Sequence, residues 1–141
     1  MANPKQLSKA EYETLASFRY ALRQFFRFSE EAAQAAGITP QQHQALLAIK
    51  GFPGRDYVTV SELAERLQLR HHSAVGLINR LVQEKLVLRI SSEKDRRHVL
   101  IQLTTRGEKI LAKLSFAHGK QLRQVSPDLK LLLNRLGSSK D

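Results

Sequence analysis

The stretch that most constrains how this chain folds runs from Thr59 to Thr104, where two helical patterns are followed by two runs of alternating hydrophobic residues. Thr59 and Glu62 have the T-x-x-E spacing of a capping box, in which each side chain accepts from a backbone N–H at the start of a helix. Apolar residues then recur at helical intervals, at Leu63, Ala64 and Leu67. The pattern predicts a short helix with one buried face.

A second helical segment follows Arg70, and its two faces differ in chemistry. One arc of the helical wheel is apolar and holds Ala74, Leu77, Ile78, Leu81 and Val82. The opposite arc is small, polar or cationic and holds His72, Ser73, Gly76, Asn79, Arg80 and Gln83. Because glycine allows close approach and polar groups can meet base edges and phosphates, this face suits a helix laid in a DNA major groove. An ordinary amphipathic surface helix is the alternative, although Gly76 costs such a helix roughly 1 kcal/mol.

Two strand patterns with a polar connection come next. Leu86, Leu88 and Ile90 alternate on the first strand, and Val99, Ile101 and Leu103 alternate on the second, which predicts half-buried strands with these residues inside. The connection has the sequence SSEKDRR, with the turn at 92–95. The order of helix, helix and strand pair predicts a winged helix-turn-helix, which belongs to the mainly α class with a small β-wing (α+β).

The tip of the wing carries a carboxylate and several cations. Asp95 and Arg97 are two residues apart and share one side of an extended strand, so the carboxylate can orient an outward-pointing guanidinium. An arginine on a protruding ribbon suits a narrow minor groove, whose negative potential attracts it. A charged tip that serves only solubility is the alternative.

The wing and the residues after it carry a family resemblance. Asp95, Arg96 and Arg97, followed by Leu103, Thr104 and Gly107, resemble the D-x-R wing and L-T-x-x-G of the MarR family of bacterial transcription regulators. The resemblance covers nearly the whole chain and implies one domain over residues 1–141. It implies dimerisation helices at 8–37 and 105–137, which interleave in a homodimer, and a DNA-binding region at 39–104.

The chain departs from the family pattern at two places. Many members carry a Thr-Arg pair where this chain has Val75 and Gly76, so base readout is expected to rest more on His71, His72 and Ser73. Many also have glycine where Lys85 stands, which would place a lysine at the left-handed position that ends the recognition helix.

The flanking segments are also helical in pattern. Ser8 and Glu11 open a helix that runs to Ala36, and Thr39-Pro40 with Gln42 opens a second helix with Leu46, Leu47 and Ile49 buried. A third wing strand is possible at 56–58. Thr104 caps a helix that extends to about Val125, and the Ser-Pro-Asp sequence at 126–128 predicts a break and a restart that ends at Gly137. Four phenylalanines, Phe18, Phe25, Phe26 and Phe28, favour a core or an interface over a ligand site.

Composition narrows the function classes. The formal net charge of +10 favours a polyanionic partner. The absence of cysteine excludes disulfides and thiolate chemistry, including cysteine-based peroxide sensing. No apolar run approaches the ~20 residues of a membrane span, and the N-terminal sequence lacks a signal-peptide core, so a cytoplasmic protein without a membrane partner is expected.

An enzyme is the first rival class. The five histidines show no H-x-x-x-H or H-E-x-x-H spacing, and solvated or DNA-facing positions are expected for them. Neither a phosphate-binding loop nor a G-x-S-x-G elbow occurs, so we expect no catalysis and no cofactor. A metal-responsive regulator stays open. An architectural or RNA-binding winged helix is the second rival, although residues 70–98 lack the aromatic side chains that RNA modules stack on bases.

These considerations predict a regulator, in particular a ligand-responsive repressor, that binds double-stranded DNA as a homodimer. The expected DNA-contacting residues are Arg70, His71, His72, Ser73, Gly76, Asn79, Arg80, Lys94, Asp95, Arg96 and Arg97. The resemblance also implies a pocket for a small aromatic or phenolic inducer, among the first two helices and the start of the helix after Thr104. Tyr20, Arg23 and His43 are its candidate residues.

Overall fold

Within residues 6–91 and 98–138, which the computed structural model describes, the chain forms five helices and three short strands. The helices are α1 (Lys9–Ala35), α2 (Pro40–Lys50), α3 (Val60–Leu67), α4 (His71–Gln83) and α5 (Thr105–Ser138). The strands are β1 (Tyr57–Val58), β2 (Val87–Ser91) and β3 (Val99–Leu103). They form one antiparallel sheet in the order β1-β3-β2, so the predicted third wing strand is confirmed.

The chain divides into two units. The outer unit contains the residues up to Glu31 together with those from Phe116 onward, and the winged unit runs from Ala32 to Ser115. The core of the winged unit combines α2, α3, α4 and the sheet, and its largest fully buried side chains are Leu46, Ile49, Leu63, Leu77, Ile78, Leu81, Leu86 and Ile101. This core includes Ala33 and Ile38 before residues 39–104 and Leu111 and Leu114 after them, and the assignment of 39–104 as the DNA-binding region stays a prediction.

Capping residues fix where α2 and α3 begin. The hydroxyl of Thr39 accepts from the backbone N–H of Gln42 at 3.0 Å, and the Gln42 side chain accepts from the N–H of Thr39 at 2.9 Å. Thr59 and Glu62 form the same pair of bonds at 3.2 and 2.8 Å. Both predicted capping boxes are therefore confirmed.

The predicted burial of the wing strands is wrong in part. Val87, at 2% exposure, is the buried residue of β2, whereas Leu88 and Ile90 are 39% and 36% exposed. Val87 pairs with Leu103, and residues directly opposite each other on neighbouring strands point to the same face. Leu88 and Ile90 therefore occupy the other face, because neighbouring residues of a strand alternate. On β3, Ile101 and Leu103 are buried as predicted, but Val99 is 40% exposed.

Two helical predictions also need correction. The break predicted at 126–128 is wrong, because α5 continues through Pro127 as one helix of 34 residues. The fixed φ angle of proline is compatible with a helix, although its ring crowds the carbonyl four residues earlier and its nitrogen has no N–H to donate to that carbonyl. Leu47 was predicted to be buried but is 45% exposed, since α2 turns Gln42, His43, Ala45, Leu46 and Ile49 inward.

An ion pair connects α2 to the first turns of α5. Lys50 Nζ lies 2.9 Å from Glu108 Oε1 and 3.8 Å from Asp56 Oδ2. The hydrogen bond and the charge of Glu108 raise the pKa of Lys50 above its ordinary value. Both side chains are half exposed, so the pair orients the two helices more than it stabilises them.

Candidate nucleic-acid interface

The helix α4 presents one buried and one exposed face. Ala74, Leu77, Ile78 and Leu81 are at most 1% exposed, so packing fixes the rotation of the helix. The predicted contact residues His71, His72, Ser73, Asn79 and Arg80 are all exposed, and so is Arg70, which precedes the helix. A bond of 2.7 Å from Gln42 Nε2 to Glu84 Oε2 holds the end of α4 against α2. The structure thus brings the predicted residues of this helix together on one accessible surface.

Gly76 lies in the middle of α4, between the buried and exposed faces. A Cβ atom built on this glycine would meet no heavy atom of the described residues within 4 Å. Internal packing therefore does not require a glycine here, although the residue weakens the helix by roughly 1 kcal/mol. The missing side chain leaves room for another molecule to approach the backbone.

The L-T-x-x-G residues join the end of α4 to the start of α5. The N–H of Thr104 donates to the carbonyl of Leu86 at 3.0 Å, and its hydroxyl donates to the carbonyl of Lys85 at 2.6 Å. The N–H of Gly107 in turn donates to the Thr104 hydroxyl at 3.1 Å. Thr104 therefore caps α5, as predicted, and also binds the backbone where the recognition helix turns into the wing.

Lys85 has a φ of 62°, so the predicted left-handed lysine is confirmed. The N–H of Lys85 donates to the carbonyl of Val82 at 3.0 Å, and that of Leu86 donates to the carbonyl of Leu81 at 2.9 Å. These two bonds are the Schellman pattern that closes a helix. The turn sends the chain from α4 directly into β2.

Arg89 is a residue of the interface that sequence reasoning missed. It pairs with the buried Ile101 across the sheet, so it points to the same face as Val87. Its guanidinium Nη2 donates to Oδ1 of Asn79 on α4. The alternation of β2 contained the signal, but the assignment of Leu88 and Ile90 to the buried face placed Arg89 on the wrong side.

A second cluster lies at the start of α3. The Arg55 guanidinium forms an ion pair with Glu62 and lies 4.4 Å from the centre of the Phe52 ring and 5.2 Å from that of Tyr57. The Arg66 guanidinium lies 4.9 Å from the same Phe52 ring. These cation–π contacts hold the loop after α2 against α3. Sequence reasoning missed them although all the partners lie within residues 52–66, because helical and strand patterns do not predict how the loop after α2 bends.

The wing tip bears four of the predicted contact residues. The strands pair as far as Ser91 and Val99. Lys94, Asp95, Arg96 and Arg97, together with the turn predicted at 92–95, lie outside the described residues. Their roles stay predictions.

Two histidines contradict the expectation of solvated or DNA-facing positions. His43 is 2% exposed in α2, and His118 is 9% exposed in α5. The imidazole of His118 makes edge contacts with Phe25 and Phe28, at ring-centre distances of 5.8 and 5.2 Å. The rings that cover His118 belong to α1, which is distant in sequence, so a local sequence pattern does not reveal this burial. His71, His72 and His98 are exposed, as expected.

The three residues predicted for an inducer lie in different places. Tyr20 is 63% exposed and lines a pocket of about 370 Å³ in the outer unit. The other lining residues of this pocket are Ser17, Ala21, Gln24, Gln124, Leu131 and Leu132. Arg23 is exposed on α1, and His43 is buried in the winged unit.

Neither a metal site nor a membrane span appears in the described part of the chain. Over residues 6–91 and 98–138, no three His, Cys, Asp or Glu side chains are grouped so that they could hold a metal ion. None of the helices in those residues is long and apolar enough to cross a membrane.

Two helices joined by a turn, followed by a strand pair that extends a three-stranded sheet, define a winged helix-turn-helix protein. A family profile described as MarR family matches residues 36–98. The HTH-type transcriptional repressor MdtR of Bacillus subtilis is 32% identical over 78 residues, which are 55% of this chain and 48% of that protein. Together with the relative described next, which is 32% identical and of which this chain covers 72%, these similarities show that the chain belongs to the MarR family of transcription regulators.

Two further similarities extend over most of the chain. The organic hydroperoxide resistance transcriptional regulator of Bacillus subtilis is 32% identical over 109 residues, which are 70% of this chain and 72% of that protein. The solved structure of an S. aureus MepR mutant bound to oligodeoxyribonucleotide has 21% identity and a TM-score of 0.70, and covers 95% of this chain and 99% of the other. Because the MepR mutant is only 21% identical, its similarity shows the fold alone. The chain spans about half the length of MdtR.

Proposed function

We propose that this protein is a repressor that binds a specific, pseudo-palindromic DNA operator as a homodimer. One observation carries the proposal: the exposed face of α4 combines His71, His72 and Ser73 with the open backbone at Gly76. The face is held rigidly, because the opposite side of the helix is buried in the core. A rigid helix with a polar, accessible face is what major-groove readout requires.

In this proposal α4 lies in the major groove, with His72 and Ser73 near base edges. Arg70 and His71 belong to the same end of the helix, and Asn79 and Arg80 contact phosphates or flanking groups. Two such helices in a homodimer enter successive major grooves about one DNA turn apart, roughly 34–36 Å. The operator then has two-fold symmetry.

The wing contributes a second set of contacts in the proposal. Arg97 enters the minor groove, Asp95 orients it, and Lys94 and Arg96 contact the backbone. The support is the β2–β3 pair, whose antiparallel pairing extends to Ser91 and Val99, the described strand residues nearest to this segment.

The support for a homodimer comes from the surface of the outer unit. Its two helices expose large apolar side chains, which are Tyr12, Leu15, Tyr20, Phe26, Phe116, Leu122, Leu131 and Leu133. So many exposed apolar residues in one unit are typical of an interface. Phe116→Asp is expected to lower the dimer fraction in analytical ultracentrifugation, because it places a charge on the most exposed of them, at 74%. Leu47→Asp, at an exposed leucine of the winged unit, is the matched control.

Regulation by a ligand is a further part of the proposal. A pocket of about 370 Å³ is within the range that holds small ligands, and Tyr20 offers it a ring and a hydroxyl. A small aromatic or phenolic inducer would bind there, with Arg23, which is on the same helix as Tyr20, as a candidate for its negative charge. His43 is buried in the winged unit and is not part of this pocket. Release of DNA requires that the inducer prefer one of two conformations. Titration calorimetry with phenolic acids, for the wild type and Tyr20→Ala, tests this part.

The decisive experiment for the proposed function is selection of genomic fragments that the purified protein binds. We expect a two-fold symmetric motif, and scrambling of one half-site should remove most of the specific affinity. Equal binding to a single half-site would rule out the dimeric reading. Binding without any enriched motif would favour the alternative, an architectural or non-specific nucleic-acid-binding protein.

One remaining alternative has a simple test. A metal-responsive regulator would retain metal after purification or would change its DNA affinity when chelator is added. The proposal includes no catalysis and no cofactor, and it places the protein in the cytoplasm, where a bacterial operator is accessible.

A further inference from the structure

A side-chain hydrogen bond between Arg89 and Asn79 connects the wing to the recognition helix. Both residues are exposed, and the Nη2 group of Arg89 donates to Oδ1 of Asn79. Asn79 follows the fully buried Ile78, and Arg89 pairs with the fully buried Ile101. Both backbones are thus fixed by core residues, and the contact joins two rigid elements at the surface.

The chemistry of the pair determines how the amide of Asn79 is oriented. A guanidinium has five N–H donors and no acceptor, so only the oxygen of the amide can face Arg89. The NH2 group of Asn79 therefore points away from Arg89. Arg89 takes one of the two lone pairs of the amide oxygen, so the outward side of Asn79 presents chiefly its NH2 donors.

An asparagine held in this way is poorly placed to read adenine. Bidentate recognition of adenine needs the amide oxygen to accept from N6 while the NH2 group donates to N7. The oxygen keeps a second lone pair, but Arg89 holds it turned toward β2. The outward NH2 and the remaining donors of Arg89 instead form a group with net charge +1 that suits an oxygen acceptor, above all a phosphate.

The position of Asn79 also favours phosphate over a base. Recognition helices contact base edges with their N-terminal residues. Asn79 is the ninth residue of α4, which begins at His71 and ends at Gln83. Arg89 lies on the strand that leads to the wing tip.

We propose that Arg89 and Asn79 together form a phosphate clamp at the junction of the recognition helix and the wing. The clamp rests on the proposed function, since it assumes a DNA duplex against α4. It assigns a DNA contact to Arg89 and restricts Asn79 to the role of donor. It also makes the two residues interdependent, because loss of either removes the orientation of the other.

A double-mutant cycle on DNA affinity tests the clamp, with a random-sequence duplex at low salt as the probe. Arg89→Ala and Asn79→Ala should each weaken binding about tenfold, the usual effect of losing a hydrogen bond to a charged group. The double variant should bind about as weakly as the weaker single variant. Arg89→Ala should also reduce the slope of log affinity against log salt by about 1. Arg19→Ala, at an exposed arginine of α1, matches the change in charge and should have a smaller effect.

Asn79→Asp separates a clamp from a contact that only supports the fold. The aspartate keeps an acceptor for Arg89 but loses the outward donor and places a negative charge near the phosphate. We expect weaker DNA binding than for Asn79→Ala, with a melting temperature equal to or above that of the wild type. Affinity at or above the Asn79→Ala value would overturn the clamp.

The outcomes distinguish the clamp from the proposed function. If the wild type binds duplex but the affinity losses of the two single variants simply add in the double variant, the clamp alone is overturned. The same conclusion holds if those losses depend on the identity of one base pair. A wild-type protein that binds no duplex at low salt would overturn both. A coupled, sequence-independent loss supports the clamp.

Discussion

Gly107 lies directly against the backbone carbonyl of Leu86, at the point where the recognition helix, the wing and α5 meet. A Cβ atom on Gly107 would lie 2.1 Å from the Leu86 oxygen and 3.1 Å from its carbonyl carbon. The same carbonyl accepts from Thr104, so it cannot move away without breaking that bond. The final glycine of L-T-x-x-G is therefore a requirement of backbone packing.

Gly107→Ala is expected to lower the free energy of unfolding by about 3 kcal/mol, because the clash is with backbone and not with a flexible side chain. Chemical denaturation measures the change. The matched control is Gly119→Ala in the same helix, where a Cβ would meet no heavy atom of the described residues within 4 Å. The control should be neutral or stabilise by up to about 1 kcal/mol. Equal effects at the two glycines would contradict this role of Gly107.

Gly76 gives a test in which stability and DNA affinity should change in opposite directions. Gly76→Ala should stabilise the protein by up to about 1 kcal/mol, since alanine is the better helix former and its Cβ meets open space. DNA affinity should nevertheless fall, because the methyl group occupies the room that close approach requires. Gly119→Ala, again the control, should leave affinity unchanged. An increase in both quantities would argue against α4 as the groove-binding helix.

The sequence correctly predicted those features of the fold that depend on residues close together in the chain. The capping boxes at Thr39 and Thr59 were correct because each involves residues three positions apart. The buried side of α4 was also correct, since a helix with one apolar arc has only one way to pack.

The buried face of the wing sheet was harder to predict, because both faces of the sheet carry apolar residues. Val87 and Leu88 are both apolar neighbours, so alternation alone did not decide which of them is buried. The pairing of Val87 with Leu103 decided it, and that pairing is non-local. The same error hid the contact between Arg89 and Asn79. Pro127 was read as a break by a local rule, although the helix continues through it.

Two basic residues of the wing should contribute to DNA binding in different ways. Arg97→Ala should lower affinity by ~1–3 kcal/mol, most strongly on A·T-rich flanks with a narrow minor groove. Lys94→Ala should weaken all sequences alike and reduce the salt slope by about 1.

Asp95→Ala removes a negative charge, so electrostatics alone predicts tighter binding. If Asp95 orients Arg97, affinity should fall instead, because the free guanidinium loses more side-chain entropy on binding. A rise in affinity would mean that the wing acts only as a cationic tip.

The central claim is that α4 and the wing read a specific DNA sequence. Its most direct test is the ratio of two dissociation constants, measured at one salt concentration, for the selected operator and for a random duplex of the same length. We predict that the operator binds ~10³–10⁷ times more tightly, as in other specific regulators. A ratio close to one would contradict the claim and identify the protein as a non-specific binder of nucleic acid.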